Sequence, residues 1–198
     1  MVRAFLAIDL PQELKKELFN LSKVLNYEGL KLKWVEEENL HLTVRFFGNI
    51  SENLAEKIYE KCKEVCKEME PFELEIGLAS YFPLKGTPRV IWIGIDSASN
   101  NLLKLDNLLK KALKPLKLKE EKEEFHPHVT LLRVKEKTDP VVLKKFFEEL
   151  KRASEKLKGR SFLVREIIIF KSELFPSGPK YTPLKIIPLR EKKSLSEN

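Results

Sequence analysis

His41-Leu42-Thr43-Val44-Arg45-Phe46-Phe47-Gly48 has a shorter echo eighty-seven residues later, in His128-Val129-Thr130-Leu131-Leu132-Arg133. Both stretches begin His-x-Thr-x with an apolar residue at each x. In a strand, residues two apart share a face. His41 would therefore lie beside Thr43, and His128 beside Thr130, while Leu42, Val44, Val129 and Leu131 pack inward. The chain holds only 3 His, and the two motifs use two of them. With 5 Thr in 198 residues, two of three histidines would have Thr two places on with a chance probability of roughly 0.002. Histidine titrates nearest neutrality, so one ring can give a proton while another takes one, which points to paired acid-base catalysis.

Outward from the motifs, the chain reads as strands alternating with amphipathic helices. Val2 to Leu10 is apolar on both faces and reads as a buried strand. Pro11-Gln12-Glu13 opens a helix to about Leu25, with Leu14, Leu18, Leu21 and Leu25 as its stripe. Lys33 to Phe47 reads as a strand pair or as one irregular strand ending at Gly48-Asn49. Ser51 caps a helix whose apolar side is Ile58, Cys62, Val65 and Met69. Phe72 to Tyr81 and Arg89 to Asp96 read as strands joined by a turn-rich segment.

The second half repeats this order. A helix over Ser99 to Leu113, with Leu102, Leu105, Leu109 and Leu113 on one side, precedes a charged stretch from Lys117 to Glu124 and then the second motif. Val141 to Leu157 reads as a helix, and Phe162 to Leu174 as one strand of β-branched character. Phe175 to Pro179 reads as a loop before a closing strand, Thr182 to Leu189. These elements predict an α+β fold in which residues 1–190 form one domain, and 191–198 a frayed polar tail.

Hydrophobic content of 42% with 34% charged residues describes a globular chain, not a disordered one. Apolar runs such as Val90-Ile91-Trp92-Ile93-Gly94-Ile95 are too short to cross a bilayer, and the N-terminus does not read as a signal peptide. No membrane partner is expected. Cys62 and Cys66 lack neighbouring His and read as reduced helix residues of a cytoplasmic protein. The net charge of +7 is compatible with a polyanion such as RNA. No heptad pattern suggests self-association, and a monomer is expected.

Two imidazoles and two hydroxyls in one cleft suit a phosphate. The hydroxyls can hydrogen-bond nonbridging oxygens, and the imidazoles can handle entering and leaving oxygens. Widely separated His without Asp, Glu or Cys at ligand spacing leave zinc short of ligands, so no metal is expected. There is no phosphate loop, and no nucleotide cofactor is expected. His126 reads as a structural or site-edge residue. Arg45 shares the His41 face under strict alternation, where it could assist a phosphate or form an exposed salt bridge.

The motif pair resembles that of the two-histidine (2H) phosphoesterase superfamily, and in particular its 2′-5′ RNA ligase, or RNA 2′,3′-cyclic phosphodiesterase, branch. The likeness extends to Arg3-Ala4-Phe5-Leu6-Ala7-Ile8, to Pro88-Arg89-Val90-Ile91-Trp92-Ile93-Gly94, and to Ser172-Glu173-Leu174 with Gly178-Pro179-Lys180-Tyr181. It implies a bilobal, pseudo-twofold pair of antiparallel sheets with outer helices and an active-site cleft between the lobes. It also implies metal-independent hydrolysis of an RNA-terminal 2′,3′-cyclic phosphate to a 2′-phosphomonoester, with tRNA fragments one candidate source of such ends. By this resemblance His41 is the general acid, His128 the general base, and Thr43, Thr130 and Arg133 bind the phosphate. Phe46 would stack on the terminal base. Yet Phe46 and Arg133 lie five places after their His, where strict alternation turns them away from the cleft unless a bulge re-aims them. Core packing for Phe46 and a solvated charge for Arg133 are the plainer readings. Run backwards, the reaction would make a 2′-5′ linkage. A two-histidine endoribonuclease and a non-catalytic RNA-binding protein are the competing functions.

Overall fold

The computed structural model describes residues 1–25, 27, 29–97, 99–119, 124–135 and 138–190. The expected tail, 191–198, and the middle of the charged stretch, 120–123, lie outside them. In chain order the elements are β1 (Val2–Asp9), α1 (Gln12–Val24), β2 (Leu32–Trp34), β3 (His41–Ile50), α2 (Glu52–Cys66), β4 (Phe72–Phe82) and β5 (Val90–Asp96). There follow α3 (Asn101–Leu113), β6 (His128–Val134), α4 (Pro140–Ser154), β7 (Ser161–Val164), β8 (Glu166–Phe175) and β9 (Gly178–Pro188).

Every strand pairing is antiparallel, in the order β7-β4-β5-β6-β3-β1-β8-β9, with β2 added to β6. Between β6 and β3 the ladder narrows to one residue pair, Leu42↔Val129. The sheet is therefore two lobes, β7-β4-β5-β6 and β3-β1-β8-β9, meeting at the two motif strands. The halves of the chain are also interlocked. Leaving aside the short strands β2 and β7, each runs strand, helix, motif strand, helix, then sends a strand across: β4 pairs with β5 of the second half, and β8 pairs with β1 of the first. This is the expected pseudo-twofold α+β arrangement.

One large core lies between the sheet and the helices. In α1, Leu14, Leu18 and Leu21 are buried, and each such side chain contributes about 1.5–3 kcal/mol. Ser51 Oγ accepts from Leu54 N at 3.2 Å, fixing the start of α2. Cys62 and Cys66 are buried and unbridged. Burial pushes the Cys66 thiol up to about 12 and the Cys62 thiol higher still, so both are inert packing groups. Among the described residues no helix is long and apolar enough to cross a membrane.

Two expectations change. The single strand expected over Phe162 to Leu174 is two, because the chain breaks at Arg165 and changes lobe: β7 pairs with β4, and β8 with β1. The expected loop over Phe175 to Pro179 is a hairpin turn of only Pro176-Ser177, since Phe175 already pairs with Gly178. Periodicity within one strand carries no information about which neighbour it meets. Prolines at 179 and 183 concealed the start of β9, which tolerates them as an edge strand. The Lys33 to Phe47 segment holds two strands joined by a 3-10 turn at Glu37–Asn39, β2 pairing with β6 and β3 with β1.

Candidate active site

The lone pair Leu42↔Val129 sets the site. Both side chains are fully buried in the core, so their sequence neighbours face the opposite, concave side. One antiparallel step to either side of that pair aligns His41 with Thr130 and Thr43 with His128. The four motif side chains thus alternate around the pair as a twofold-related square.

Each motif strand then bulges at the same offset. Against β1, Ala7 pairs with Thr43 and Leu6 with Arg45, leaving Val44 as an extra residue. Against β5, Trp92 pairs with Thr130 and Ile91 with Leu132, leaving Leu131 extra. Both residues of a bulge point the same way, and the alternation inverts beyond it. Leu131 and Leu132 are accordingly both buried in the core. Phe46 emerges opposite Phe5, with ring centroids 6.1 Å apart, and is 61% exposed. Arg133 emerges exposed on the concave face of β6. The bulges re-aim both residues toward the concave side, so Phe46 is not packed in the core, and Arg133 is a solvent-exposed charge at the edge of the cleft.

The expectation for Arg45 is corrected by the same device. Arg45 turns with Val44 to the helix side, opposite fully buried Leu6 and in the field of Cys62 on α2. Its Nε and Nη1 are buried there without hydrogen-bond partners among the described residues. It does not share the His41 face.

The two imidazoles are held alike. His41 Nδ1 donates to the backbone carbonyl of Asn39 at 2.7 Å, and His128 Nδ1 donates to that of His126 at 2.6 Å. A carbonyl only accepts, so each Nδ1 carries hydrogen and each Nε2 is left to exchange protons. In the neutral ring His41 Nε2 accepts from Thr43 Oγ1 at 2.9 Å. Asn39 is itself anchored, its Nδ2 donating to Pro179 O of β9 at 2.9 Å.

Aromatic rings frame each histidine. His41 lies 4.9 Å from Phe5 and 5.2 Å from Tyr181, centroid to centroid. His128 lies 5.1 Å from Phe82 and 5.5 Å from Trp92. His126 joins this second group, 4.9 Å from Trp92 and 6.5 Å from His128. Trp92 is 4% exposed and its Nε1 has no partner among the described residues.

Burial in this setting lowers the pKa of both histidines below the usual value. For His41 the carbonyl of Asn39 and Asp9 oppose that shift, whereas Lys15 and His128 add to it. For His128 the carbonyl of His126 opposes it, whereas the His126 ring and Arg133 add to it. Among the described residues no group of three or more His, Cys, Asp or Glu is placed to hold a metal ion.

The structure therefore gathers His41, Thr43, Phe46, His128, Thr130 and Arg133 on one concave surface. Asn39, Tyr181, Phe82, Trp92 and Lys33 also border it without having been assigned a role. Only Tyr181 and Trp92 had a signal, since both fall within the segments of family likeness.

The 2′-5′ RNA ligase superfamily profile matches residues 11–174. The chain is 31% identical over 192 residues to the RNA 2′,3′-cyclic phosphodiesterase of Methanothermobacter thermautotrophicus, covering 95% of this chain and 99% of that protein. It is 34% identical over 184 residues to the protein of the same name from Methanocaldococcus jannaschii, covering 93% and 99%. Among solved structures, that of TT0787 of Thermus thermophilus superposes with a TM-score of 0.76 at 28% identity, covering 95% and 98%.

Proposed function

The chain belongs to the 2′-5′ RNA ligase superfamily, and on that premise we propose that it hydrolyses RNA-terminal 2′,3′-cyclic phosphates to 2′-phosphomonoesters without a metal. The observation that carries this reading is the pair of imidazoles held through Nδ1 on twofold-related strands, which leaves each Nε2 as the proton-exchanging nitrogen, that of His41 beside Thr43 Oγ1. Relatives named RNA 2′,3′-cyclic phosphodiesterase, matched along nearly their whole length, support the substrate class.

The terminal nucleotide lies with its cyclic phosphate over the square of motif side chains. Thr43 and Thr130 donate to nonbridging oxygens, and Arg133 adds positive charge as phosphorus becomes pentacoordinate. His128, neutral, takes a proton from water as the oxygen attacks phosphorus. The P–O3′ bond breaks opposite, and His41, protonated, gives its proton to O3′. The products are a 2′-phosphate and a 3′-hydroxyl, and the histidines have exchanged protonation states. Phe46 stacks on the terminal base. With a 5′-hydroxyl in place of water, the same attack joins two RNA ends through a 2′-5′ linkage.

An oligonucleotide ending in a 2′,3′-cyclic phosphate tests the assignment. The phosphate should remain on O2′, with the rate unchanged by EDTA. A 3′-phosphate product would overturn it, as would cleavage of an internally labelled RNA lacking a cyclic end. Replacing either histidine, His41→Ala or His128→Ala, should lower kcat by about 10²–10⁴-fold, the usual worth of positioned acid-base catalysis.

A further inference from the structure

The strand β2 lies against β6 beyond the second bulge, with Lys33 directly opposite Arg133. Opposed residues of an antiparallel pair share a face. Their neighbours identify which one: Leu132 is fully buried and its partner Trp34 packs on the main core, so Lys33 and Arg133 face the concave side. From the other lobe, Arg3 shares the concave face of β1 with Phe5, whereas Ala4 and Leu6 belong to the core. Both Arg3 and Arg133 lie close enough to Tyr181 to act on its hydroxyl. A side chain at Gly178, the first residue of β9, would lie 3.8 Å from Lys33 Nζ. Arg133 and Arg3 thus lie about Tyr181 from the two lobes, with Lys33 beside Arg133 and near the start of β9, in a strip that crosses the seam.

Some cations elsewhere are matched by carboxylates. Lys15, Lys110, Lys185 and Arg190 reach carboxylates at 2.6–2.9 Å. Among the described residues, Lys33, Arg3 and Arg133 reach none within ion-pair distance. Like charges gathered without an acidic partner repel each other, and an anionic ligand relieves that repulsion. The strip extends outward from the catalytic square. Arg133, which serves the reacting phosphate, is three positions beyond Thr130, about 10 Å between backbones along a strand, and Lys33 lies across from it on β2.

We infer that Lys33 and Arg3 form a second anion subsite, for the phosphodiester that joins the terminal nucleotide to the one before it. This rests on the cyclic phosphodiesterase reading and adds a length preference. An oligonucleotide reaches both the square and the strip, whereas a nucleoside 2′,3′-cyclic monophosphate has no second phosphate and reaches only the square.

The test compares those two substrates in wild type, Lys33→Ala, Lys33→Arg and Arg3→Ala. Lys33→Ala and Arg3→Ala should raise KM about threefold to tenfold for a tetranucleotide ending in a cyclic phosphate, the range for one exposed charge contact. KM for the mononucleotide should not change, and Lys33→Arg should restore tetranucleotide KM. The slope of log KM against log salt should fall by about 0.7 in Lys33→Ala, the single-strand value for one phosphate contact. Equal loss on both substrates, or no loss on either, overturns the subsite and leaves the reaction standing. A wild type inactive on both substrates instead overturns the reaction, and the subsite with it.

Discussion

His41 and His128 carry near-identical local environments, and the differences between them lie in what charges surround each ring. Asp9 and its partner Lys15, 2.6 Å apart, sit beside His41, whereas His126 and Arg133 bias His128 toward the neutral form. That asymmetry agrees with His128 as base and His41 as acid. It also fixes the direction of the pH profile. Activity rises with pH as the base loses its proton and falls as the acid loses its own. Burial holds both groups below the ordinary histidine range, so kcat/KM for the free enzyme should peak on the acid side of about pH 6.5. Initial rates at low substrate concentration, measured from mildly acidic to mildly alkaline pH, check this, and a plateau rising through neutrality would contradict it.

At the scale of the element, the two bulges decide which residues after each histidine face the concave side. Phe46 is exposed on the concave side, so Phe46→Ala should leave stability within about 0.5 kcal/mol. It should raise KM for a base-bearing substrate by about 5- to 100-fold, the worth of one lost stack. Arg45 predicts the reverse. Its buried Nε and Nη1 have no hydrogen-bond partners among the described residues, and an unsatisfied buried donor costs about 1–3 kcal/mol. Arg45→Met, which keeps the length of the stem, should hold or raise Tm and leave KM unaltered. A large KM increase in Arg45→Met would place the guanidinium in the cleft and refute the bulge.

At the scale of the molecule, the exchanged strands β4 and β8 tie each lobe to both halves of the chain. Neither half contains a complete sheet, so thermal unfolding should be one transition, coincident by far-ultraviolet circular dichroism and tryptophan fluorescence. Separate transitions for the two signals would show lobes that fold independently. Leu42 is the sharpest probe of the seam, being fully buried at the single β3–β6 pair. Leu42→Ala should cost about 2–5 kcal/mol, and should lower kcat more than it raises KM because it loosens the spacing of the two histidines.

By itself the sequence marked most of the elements and suggested the chemistry of the site. Apolar period marks β1, α1 and α3 because a strand or helix face is defined within a few residues. His-x-Thr places an imidazole and a hydroxyl on one face for the same local reason. Two such motifs in a histidine-poor chain were therefore enough to suggest paired proton transfer to a phosphate. Only the tertiary structure decided the rest, because register, bulges and strand exchange depend on partners distant in the chain. Strict alternation sent Arg45 into the cleft and Phe46 and Arg133 out of it, and one extra residue in each ladder reversed all three. The break at Arg165 is likewise invisible until β7 and β8 meet different neighbours. Lys33, in a three-residue strand, acquires its place only from the strand it lies against.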